Sequence, residues 1–533
     1  MHNISFPCLN NNKTSEVSER KSVNELRLAL TDKAKEIESF ALDPISHSQT
    51  SDSSFKSFEQ TLIIKVFAFA RLAIMLFLAE AENRVTRRLP NRVEKNNRIF
   101  RRAPAQARNL NTWFGVVRYW RTYMREATGK NITGYHPLDL DPGLTADRVS
   151  MSLLAIAVRL ATKMSFAESR EVLGWFIPKA PSTEVIEQAV LGFGRHTGEW
   201  FEQAKAPEND GDVLIIMIDS KGAPTATEQE LKLRRGKRKK RSTGTSARHR
   251  GRRNRKRYTK KPRRKRGDKS KNAKMATMVV MYTLRRRGKY LLGPINRWVY
   301  ASFAPKKHAF AIALREAKKR GFCKDPDKLV QVVFDGDNDL KHYCLEYFPN
   351  AIRTIDIMHV IEKLWEVGKC FHREGSDSLR KWVEQHKEYL YKGKVQKTIS
   401  ELQYRLDTTS KNGPGNKWRR TCTNRTVKYL KKRIEMMNYH ELIEKDLEIG
   451  SGAVEGAIKH IIGKRCDHGG MRWIKERAEA LLQLRCIEVN GDWEGFIQKA
   501  HDANRRRANE YGERIRIQQA KPAELPDFME KAA

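Results

Sequence analysis

Residues 212–222 read DVLIIMIDSKG, an unbroken apolar run that ends in an acid and, three residues later, a glycine. Strands that are buried on both faces of a sheet have continuous apolar runs of this kind, whereas half-exposed strands alternate between apolar and polar residues. The run therefore predicts a central strand, with Asp219 at its carboxyl end. In α/β sheets that edge is where ligands bind.

The sequence that follows predicts the rest of a mixed sheet. Further strands are predicted at residues 274–284, 290–302, 328–337 and 350–360, and a helix at 306–321. The resulting order, β-β-β-α-β-α-β, has a mixed sheet of the α/β class as its simplest arrangement. Residues 361–446 are predicted to be all-helical.

Two of the predicted strands end in an acid, Asp219 in IMIDSKG and Asp335 in VVFDGDN, and Glu455 follows the glycine-rich turn IGSG. Neighbouring strands and a helix across the sheet edge would bring these three carboxylates together. Divalent cations relieve the repulsion, and Mg²⁺ prefers carboxylates and its own waters. Two such ions can clamp the attacking and leaving oxygens of a phosphodiester. The pattern therefore predicts phosphoryl transfer that depends on Mg²⁺, with Mn²⁺ as a substitute.

Each acid also has a structural interpretation. Asp219 and Asp335 could each form a strand-end turn, because aspartate accepts hydrogen bonds from the backbone two residues on. Glu455 could pair with Lys459 one helical turn later or interact with the helix dipole. Asp337 is a rival ligand to Asp335.

The charge of the chain favours a polyanionic partner. The formal net charge is +41, and 23 of the 41 residues in 231–271 are Lys or Arg. Phosphates bind such surfaces by counterion release, and a like-charged block cannot form a core. We therefore predict DNA or RNA as the partner, with an anionic membrane surface as the alternative, and a basic loop that is disordered without its partner. A localisation signal is the alternative for this loop.

The N-terminal third predicts helices, a short strand or hairpin at 110–125 because of its aromatic and β-branched residues, and a DNA-reading segment. Residues 165–194 form two short amphipathic segments around a proline-containing turn, with Ser182 as the N-cap of the second, which is typical of a helix-turn-helix. An ordinary helical hairpin is the alternative. The apolar stretch 61–82 is long enough to span a membrane, but Lys65 and Arg71 lie within it. A charge in a membrane is costly, so a buried or oligomer-forming helix is favoured and no membrane is expected.

The predicted organisation has six parts. The seven scattered cysteines and the lack of an apolar leader in the first 60 residues favour a reducing, cytoplasmic setting, in association with the nucleoid. The parts are a disordered segment at 1–55, a helical DNA-binding region at 56–205, the first part of the core at 206–360, an all-helical insertion at 361–446, core completion at 447–490, and a basic tail at 491–533.

Three blocks of the sequence resemble one family. The blocks IDSKG, VFDGDNDL with YFPNAIRTIDIMHVIEKLW, and GSGAVEGAIKHIIGKRCDHGGMRW are similar to those of ISKra-type bacterial insertion-sequence transposases, which are distantly related to Mutator-like elements. The similarity covers residues 210–485 well and 110–205 more weakly. It implies a ribonuclease H-like core of the DDE type and a DNA transposase that cleaves and joins strands of an insertion sequence.

The resemblance also implies roles for individual residues. Asp219, Asp335 and Glu455 match the three catalytic, metal-binding acids, and Asp356 with His359 matches a supporting Asp-x-x-His element. An ordinary histidine at a helix start is the alternative for His359. The aromatic residue that usually follows the Asp-Gly pair is missing here, where Asp337 follows.

Basic residues after Glu455 are expected to hold DNA, and Trp473 to stack on an unpaired base or to lie in the core. The expected DNA contacts are Lys459, Lys464, Arg465, Arg472, Trp473, Lys475 and Arg477. Assembly as a homo-oligomer on DNA is also expected. A non-catalytic regulator derived from a transposase and a structure-specific nuclease of the same fold are the main alternatives, and a membrane-surface protein is a weaker one.

Overall fold

A computed structural model describes residues 20–42, 54–95, 98–127, 134–140, 148–231, 273–323, 328–468 and 471–503. The chain divides into two compact units, Met1–Gly192 with Glu494–Ala533, and Phe193–Trp493. Helices and sheets occur in both units, which confirms the α/β class. The predicted basic loop at 231–271 lies, except for Leu231, outside the described residues, as do 504–533 of the predicted tail.

In its described residues, the first unit contains a four-stranded sheet of order β1-β2-β3-β4, five helices before residue 195 and a further helical segment at 494–503. Its elements are α1 Val23–Leu42, α2 Ser54–Arg87, β1 Arg92–Lys95, β2 Arg98–Thr112, β3 Gly115–Glu126, β4 Gly134–Tyr135, α3 Met151–Lys163, α4 Phe166–Phe176 and α5 Thr183–Gly194. All neighbouring strands are antiparallel. The strand or hairpin predicted at 110–125 is confirmed by the end of β2 and by β3, whereas β1 and most of β2 were not predicted in the helical region 56–205.

Helix α1 lies inside the segment that was predicted to be disordered, so that prediction was wrong for residues 23–42. A capping box begins the helix: the Ser22 hydroxyl accepts a bond from Glu25 N, and the Glu25 carboxylate accepts one from Ser22 N. Leu26 is buried, and Arg27 pairs with Glu80 of α2. Packing on α2 supplies the apolar contacts that this polar helix lacks by itself.

Helix α2 contains the apolar stretch and is more exposed than predicted. By length and composition it could cross a membrane, and only 11% of its most apolar window is buried. The two charges within the stretch bind inside the unit: Lys65 pairs with Glu36 at 2.5 Å, and Arg71 donates to the carbonyl group of Phe114 at 2.8 Å. One side of α2 packs on β3 through Leu78, Ala81 and Val117.

The two helices of the predicted helix-turn-helix are present. Helix α4 starts with a capping box between Ser165 and Glu168, and Ser182 accepts a bond from Val185 N, which confirms it as an N-cap. Helix α5, however, contains two acids and no Lys or Arg. A helix that reads DNA normally meets phosphates with cations, so the DNA-reading role of this helix stays a prediction.

The second unit is built on a five-stranded mixed sheet. Its strands are β5 Val213–Pro224, β6 Ala273–Arg287, β7 Tyr290–Ser302, β8 Leu329–Phe334 and β9 Ile352–Ile355. Their spatial order is β7-β6-β5-β8-β9, with β6 antiparallel to both β5 and β7, and β8 and β9 parallel to β5. The apolar run 213–218 is fully buried at the centre of this sheet, as predicted.

Helices cover the sheet and extend from it. They are α6 Thr197–Gln203, α7 Lys306–Lys319, α8 Asn338–Tyr347, α9 Ile357–Phe371, α10 Asp377–Tyr391, α11 Val395–Thr408, α12 Asn416–Lys431, α13 Tyr439–Glu444, α14 Gly452–Ala457 and α15 Lys475–Val489. Helices α9 to α12 pack on one another, which confirms a helical insertion. The last predicted strand is shorter than expected, because Asp356 already begins α9.

Candidate active site

The register of three parallel strands brings three acids to the same level of the sheet. Ile218 pairs with Phe334, and Phe334 pairs with Ile355. The next residue along the chain is in each case an aspartate: Asp219 within β5, Asp335 directly after β8, and Asp356 directly after β9. Since side chains at one level of a sheet point to the same face, the three carboxylates form a row across β5, β8 and β9.

The pKa values of Asp219 and Asp335 are shifted in the direction expected for carboxylates that lie near other acids. Burial raises the pKa of Asp219 above its ordinary value, and the negative charges of Asp335 and Glu455 raise it further. Burial also raises the pKa of Asp335, with Asp337 adding to the effect. Carboxylates that raise one another's pKa lie in one electrostatic field, which is what a shared cation would neutralise.

Asp356 accepts hydrogen bonds that connect neighbouring segments of the chain. It is fully buried, and its oxygens accept bonds from Met358 N at 3.0 Å, from His359 Nδ1 at 2.7 Å and from the Ser451 hydroxyl at 2.6 Å. Burial acts to raise the pKa of Asp356, but these bonds outweigh it and leave the pKa below its ordinary value. The carboxylate of Asp356 is therefore ionised, its oxygens already accept hydrogen bonds within the protein, and it orients the imidazole of His359.

His359 supplies a positive charge beside the acids. Its hydrogen bond to Asp356 raises the pKa of the imidazole to about 9, against the opposing effect of burial. The charge of His359 acts on Asp219 and Asp335 in the direction that lowers their pKa. At neutral pH the side chain is thus an imidazolium that helps the neighbouring aspartates to stay ionised.

Glu455 reaches the same place from α14. Asp356, His359 and Glu455 each offer a ligand atom within 4.8 Å of the others, and they form the only such group of three or more in the described part of the chain. Asp219 and Asp335 are outside this group, although Asp219 interacts with Glu455 electrostatically. The predicted supporting pair, Asp356 and His359, therefore lies nearest to Glu455, and the meeting of Glu455 with Asp219 and Asp335 at one metal stays a prediction.

Asp337, the predicted rival ligand, has a different role. Its side chain caps α8 by accepting a bond from Asp339 N at 2.8 Å, and it forms an ion pair with Lys306. Burial acts to raise the pKa of Asp337, but the bonds from Lys306 and Asp339 N leave it below its ordinary value. These partners make Asp337 a structural residue of the turn, so its prediction as a metal ligand is not supported.

The helical insertion holds the turn that follows Asp335. Arg433 donates to the carbonyl group of Gly336 and, at 2.8 Å, to Asn338 Oδ1, and its guanidinium lies 4.2 Å from the centre of the Tyr429 ring. A Cβ atom on Gly336 would lie 2.1 Å from the Tyr429 hydroxyl oxygen. The Asp-Gly pair therefore depends on close contact with Tyr429, a relationship that the sequence does not reveal.

Gln331 connects β8 to the segment that leads to Glu455. Its buried side chain accepts a bond from Glu448 N at 3.1 Å and donates to the Glu448 carbonyl group at 2.6 Å. One residue further on, the Ile449 carbonyl accepts a bond from Ile357 N. The sequence does contain a signal for Gln331, because it is the single polar residue in LVQVVF, and a buried polar residue needs partners.

The basic segment after Glu455 is part exposed and part buried. Helix α14 is followed by a π-helix, Ile458–Asp467, instead of the continuous helix that was expected. Lys459, Lys464, Arg472 and Lys475 are exposed, and Arg477 is half-buried. Their contact with DNA stays a prediction. Helices with π geometry often occur at functional sites because they re-aim side chains.

Two of the expected DNA contacts lie inside the protein. Arg465 and Trp473 are buried, and the guanidinium of Arg465 is 4.7 Å from the centre of the Trp473 ring. The backbone of Trp473 pairs with the end of β5, through Trp473 N to the Pro224 carbonyl and Ala226 N to the Trp473 carbonyl. The prediction of DNA contact was therefore wrong for this pair, and the alternative of a core tryptophan is confirmed.

The sequence matches no protein-family model and no curated protein.

Proposed function

We propose that this protein is a DNA transposase that cleaves and joins DNA strands by metal-dependent phosphoryl transfer. The observation that carries the proposal is the strand register that sets Asp219 beside Asp335 at the carboxyl edge of the sheet, next to Asp356, whose side chain lies within 4.8 Å of Glu455. This arrangement supports a shared site for acids that are 116 and 120 positions apart in the sequence.

The strand order supports a ribonuclease H-like core. Three antiparallel strands, β5 to β7, are extended on the β5 side by the parallel strands β8 and β9. This is the order expected for the DDE transposases that the three sequence blocks resemble. The helical insertion between β9 and α14 also occupies the position that the resemblance implies.

The donor set suits Mg²⁺. Asp219, Asp335 and Glu455 offer only hard carboxylate oxygens, and all three are partly accessible. These residues would hold the ion, which would activate water or a 3′-hydroxyl group and stabilise charge on the phosphate. Mn²⁺ would substitute, because it accepts the same ligands.

The residues of the chain have distinct roles in this proposal. Asp356 fixes His359, His359 keeps the aspartates ionised, and Arg433 with Tyr429 fixes the turn after Asp335. The exposed cations Lys459, Lys464, Arg472 and Lys475 would hold the phosphates of the element end and of the target. Positioning and charge stabilisation provide most of the rate in phosphoryl transfer. The protein would act on the nucleoid as a homo-oligomer.

The test is a strand-transfer assay with Mg²⁺, using DNA from the ends of the element that encodes the protein. Wild type is compared with Glu455→Gln, and with Glu384→Gln as a matched control on the exposed face of α10. We expect wild type and Glu384→Gln to cleave and join DNA, and Glu455→Gln to bind DNA with at least about 100-fold less product, the scale for loss of a group that acts in the transition state.

Other outcomes separate the alternatives. Cleavage without joining would favour a structure-specific nuclease. Binding without any cleavage by wild type would favour a non-catalytic regulator. Equal activity of wild type and Glu455→Gln would overturn the assignment of the site.

A further inference from the structure

The sheet of the first unit contains a basic concavity that lies outside the predicted helix-turn-helix at 165–194. Its volume is about 500 Å³. Four arginines and one acid are among its lining residues: Arg108, Arg118, Arg121, Arg148 and Asp139. With four positive charges against one negative charge, these side chains have a formal charge of +3. The composition of the two long strands agrees, since β2 and β3 contain seven arginines and a single acid, Glu126.

Two of the arginines are held in place by Asp139. Its carboxylate forms ion pairs with Arg108 Nη1 at 3.4 Å and with Arg121 Nη1. The side chains of Arg108 and Arg121 are only 10% and 11% exposed. Guanidinium groups that are already oriented lose less conformational entropy when they bind an anion. Asp139 therefore arranges this part of the concavity and neutralises one charge of four.

The other two arginines face solvent and are placed by the backbone. Arg118 is exposed on β3, opposite Asn109 of β2, and its guanidinium lies 5.7 Å from the centre of the Trp120 ring. Arg148 is exposed just before α3, and its carbonyl group accepts a bond from Asn111 N at 2.8 Å. That bond fastens the segment of Arg148 to β2, and both exposed arginines are among the residues that line the concavity.

We propose that this concavity binds the phosphodiester backbone of duplex DNA. Arginine binds phosphate oxygens through paired N–H groups, and contacts of this kind position a protein on a duplex without reading its sequence. The inference rests on the proposed function for its choice of DNA as the polyanion. It gives the first unit a DNA contact on the sheet, whereas α5 of the predicted helix-turn-helix contains no Lys or Arg.

The test is the salt dependence of binding to a fluorescent 30-base-pair duplex, measured by anisotropy without divalent cations so that no cleavage is needed. The variant is Arg118→Ala with Arg148→Ala. The matched control is Arg101→Ala with Arg125→Ala, a pair of exposed arginines that face each other across β2 and β3 and do not line the concavity. Both double variants remove two positive charges from the same unit.

We expect the slope of log K against log salt to fall by about two in the concavity variant, since each phosphate contact contributes roughly 0.9. The same relation predicts a loss of roughly 30-fold in affinity at 0.15 M salt. The control should lose less than about threefold, because the electrostatic gain depends on contact with phosphates and not on net charge alone.

Equal losses in the two double variants would overturn the inference, because total charge would then explain binding. An unchanged slope in the concavity variant would overturn the inference as well. Binding to phosphatidylserine vesicles is measured for the same variants. If the concavity variant loses vesicle binding but still binds DNA as wild type does, the inference is also overturned. Thermal unfolding of each variant identifies a folding defect, and Arg118→Gln with Arg148→Gln, which removes both charges but keeps long polar side chains, then replaces the alanine variant with the same expected fall in slope. The readout is independent of catalysis, so a protein that binds but never cleaves DNA fails the proposed function and still satisfies this inference.

Discussion

The hydroxyl group of Ser451 donates a 2.6 Å hydrogen bond to Asp356 Oδ2, across 95 positions of sequence. The same oxygen accepts a bond from His359 Nδ1. One buried carboxylate therefore connects the end of β9, the first turn of α9 and the turn that carries Glu455. This connection explains how the chain that leaves the helical insertion is held next to the edge of the sheet.

Replacing Ser451 by Ala should lower the free energy of unfolding by about 1.5–3 kcal/mol, because the lost bond is made to a charged, buried acceptor. Urea unfolding of wild type, Ser451→Ala, Asp356→Asn and the double variant gives the coupling energy between the two side chains. A coupling near zero would mean that the contact contributes nothing to stability.

Stability should depend on pH through His359. The pKa of this imidazole is raised to about 9 in the folded state, above its unfolded value of about 6.5. A raised pKa means that the folded state binds the proton more tightly, so the contribution is fully present below pH 6.5 and is lost as pH rises to 9. With a chelator present, the difference in unfolding free energy between wild type and His359→Gln should shrink across this interval.

An NMR titration of the imidazole provides the independent check. A midpoint near 6.5 in the folded protein would contradict the charged pair with Asp356. Control spectra of Asp356→Asn should show the midpoint of His359 moving down, because its main stabilising partner is then neutral.

A methyl group at residue 336 should disturb the turn after Asp335. In Gly336→Ala the Cβ atom would lie 2.1 Å from the Tyr429 hydroxyl oxygen, in a contact held by Arg433. We expect a loss of about 1–3 kcal/mol in unfolding free energy, typical of overpacking. Gly174→Ala, where no atom lies within 4 Å of the added methyl group, is the matched control and should gain up to about 1 kcal/mol.

If Tyr429 causes the conflict, Gly336→Ala should cost less in a Tyr429→Ala background than in wild type, as judged by a double-mutant cycle in urea. Equal costs in both backgrounds would assign the effect to the backbone of the turn instead of the ring.

Gln331→Leu should destabilise the attachment of the segment before Glu455 to strand β8. Leucine has a similar volume but leaves the N–H and carbonyl groups of Glu448 without the bonds that Gln331 makes. Each unsatisfied buried group costs about 1–3 kcal/mol, so we expect a loss of roughly 2–5 kcal/mol. Hydrogen exchange at the Glu448 amide should accelerate. Unchanged exchange would show that Gln331 does not hold this segment.

The local patterns predicted most of the second unit. The strand β7 was predicted with its observed ends, and β5, β6 and β8 within a few residues, because continuous apolar runs are characteristic of buried strands. The first unit was predicted less well. Its sheet is made of arginine-rich strands such as RIFRRAPAQARN, in which apolar residues are too sparse to show a period of two, and tertiary contacts with α2 stabilise them instead.

The candidate site was predicted in part. Asp219, Asp335 and Glu455 were recognised because two strands end in an acid and a glycine-rich turn precedes the third. The partners Ser451, Gln331, Tyr429 and Arg433 were missed, since each contacts a residue about 90 to 120 positions away. The expected DNA contact of Arg465 was wrong and the role of Trp473 was left open between stacking and the core, because a basic, aromatic segment has the same composition whether it is buried or exposed.

The sequence by itself determined the buried strands, the helical insertion and the three acids, because these depend on residue type and on spacing within one element. Tertiary structure alone decided that Asp356 holds His359 and Ser451, that Asp337 caps a helix, and that four arginines line one concavity. The physical reason is that hydrogen bonds and charge interactions act over a few ångströms in space. Which groups come that close depends on strand register and helix packing between segments distant in sequence.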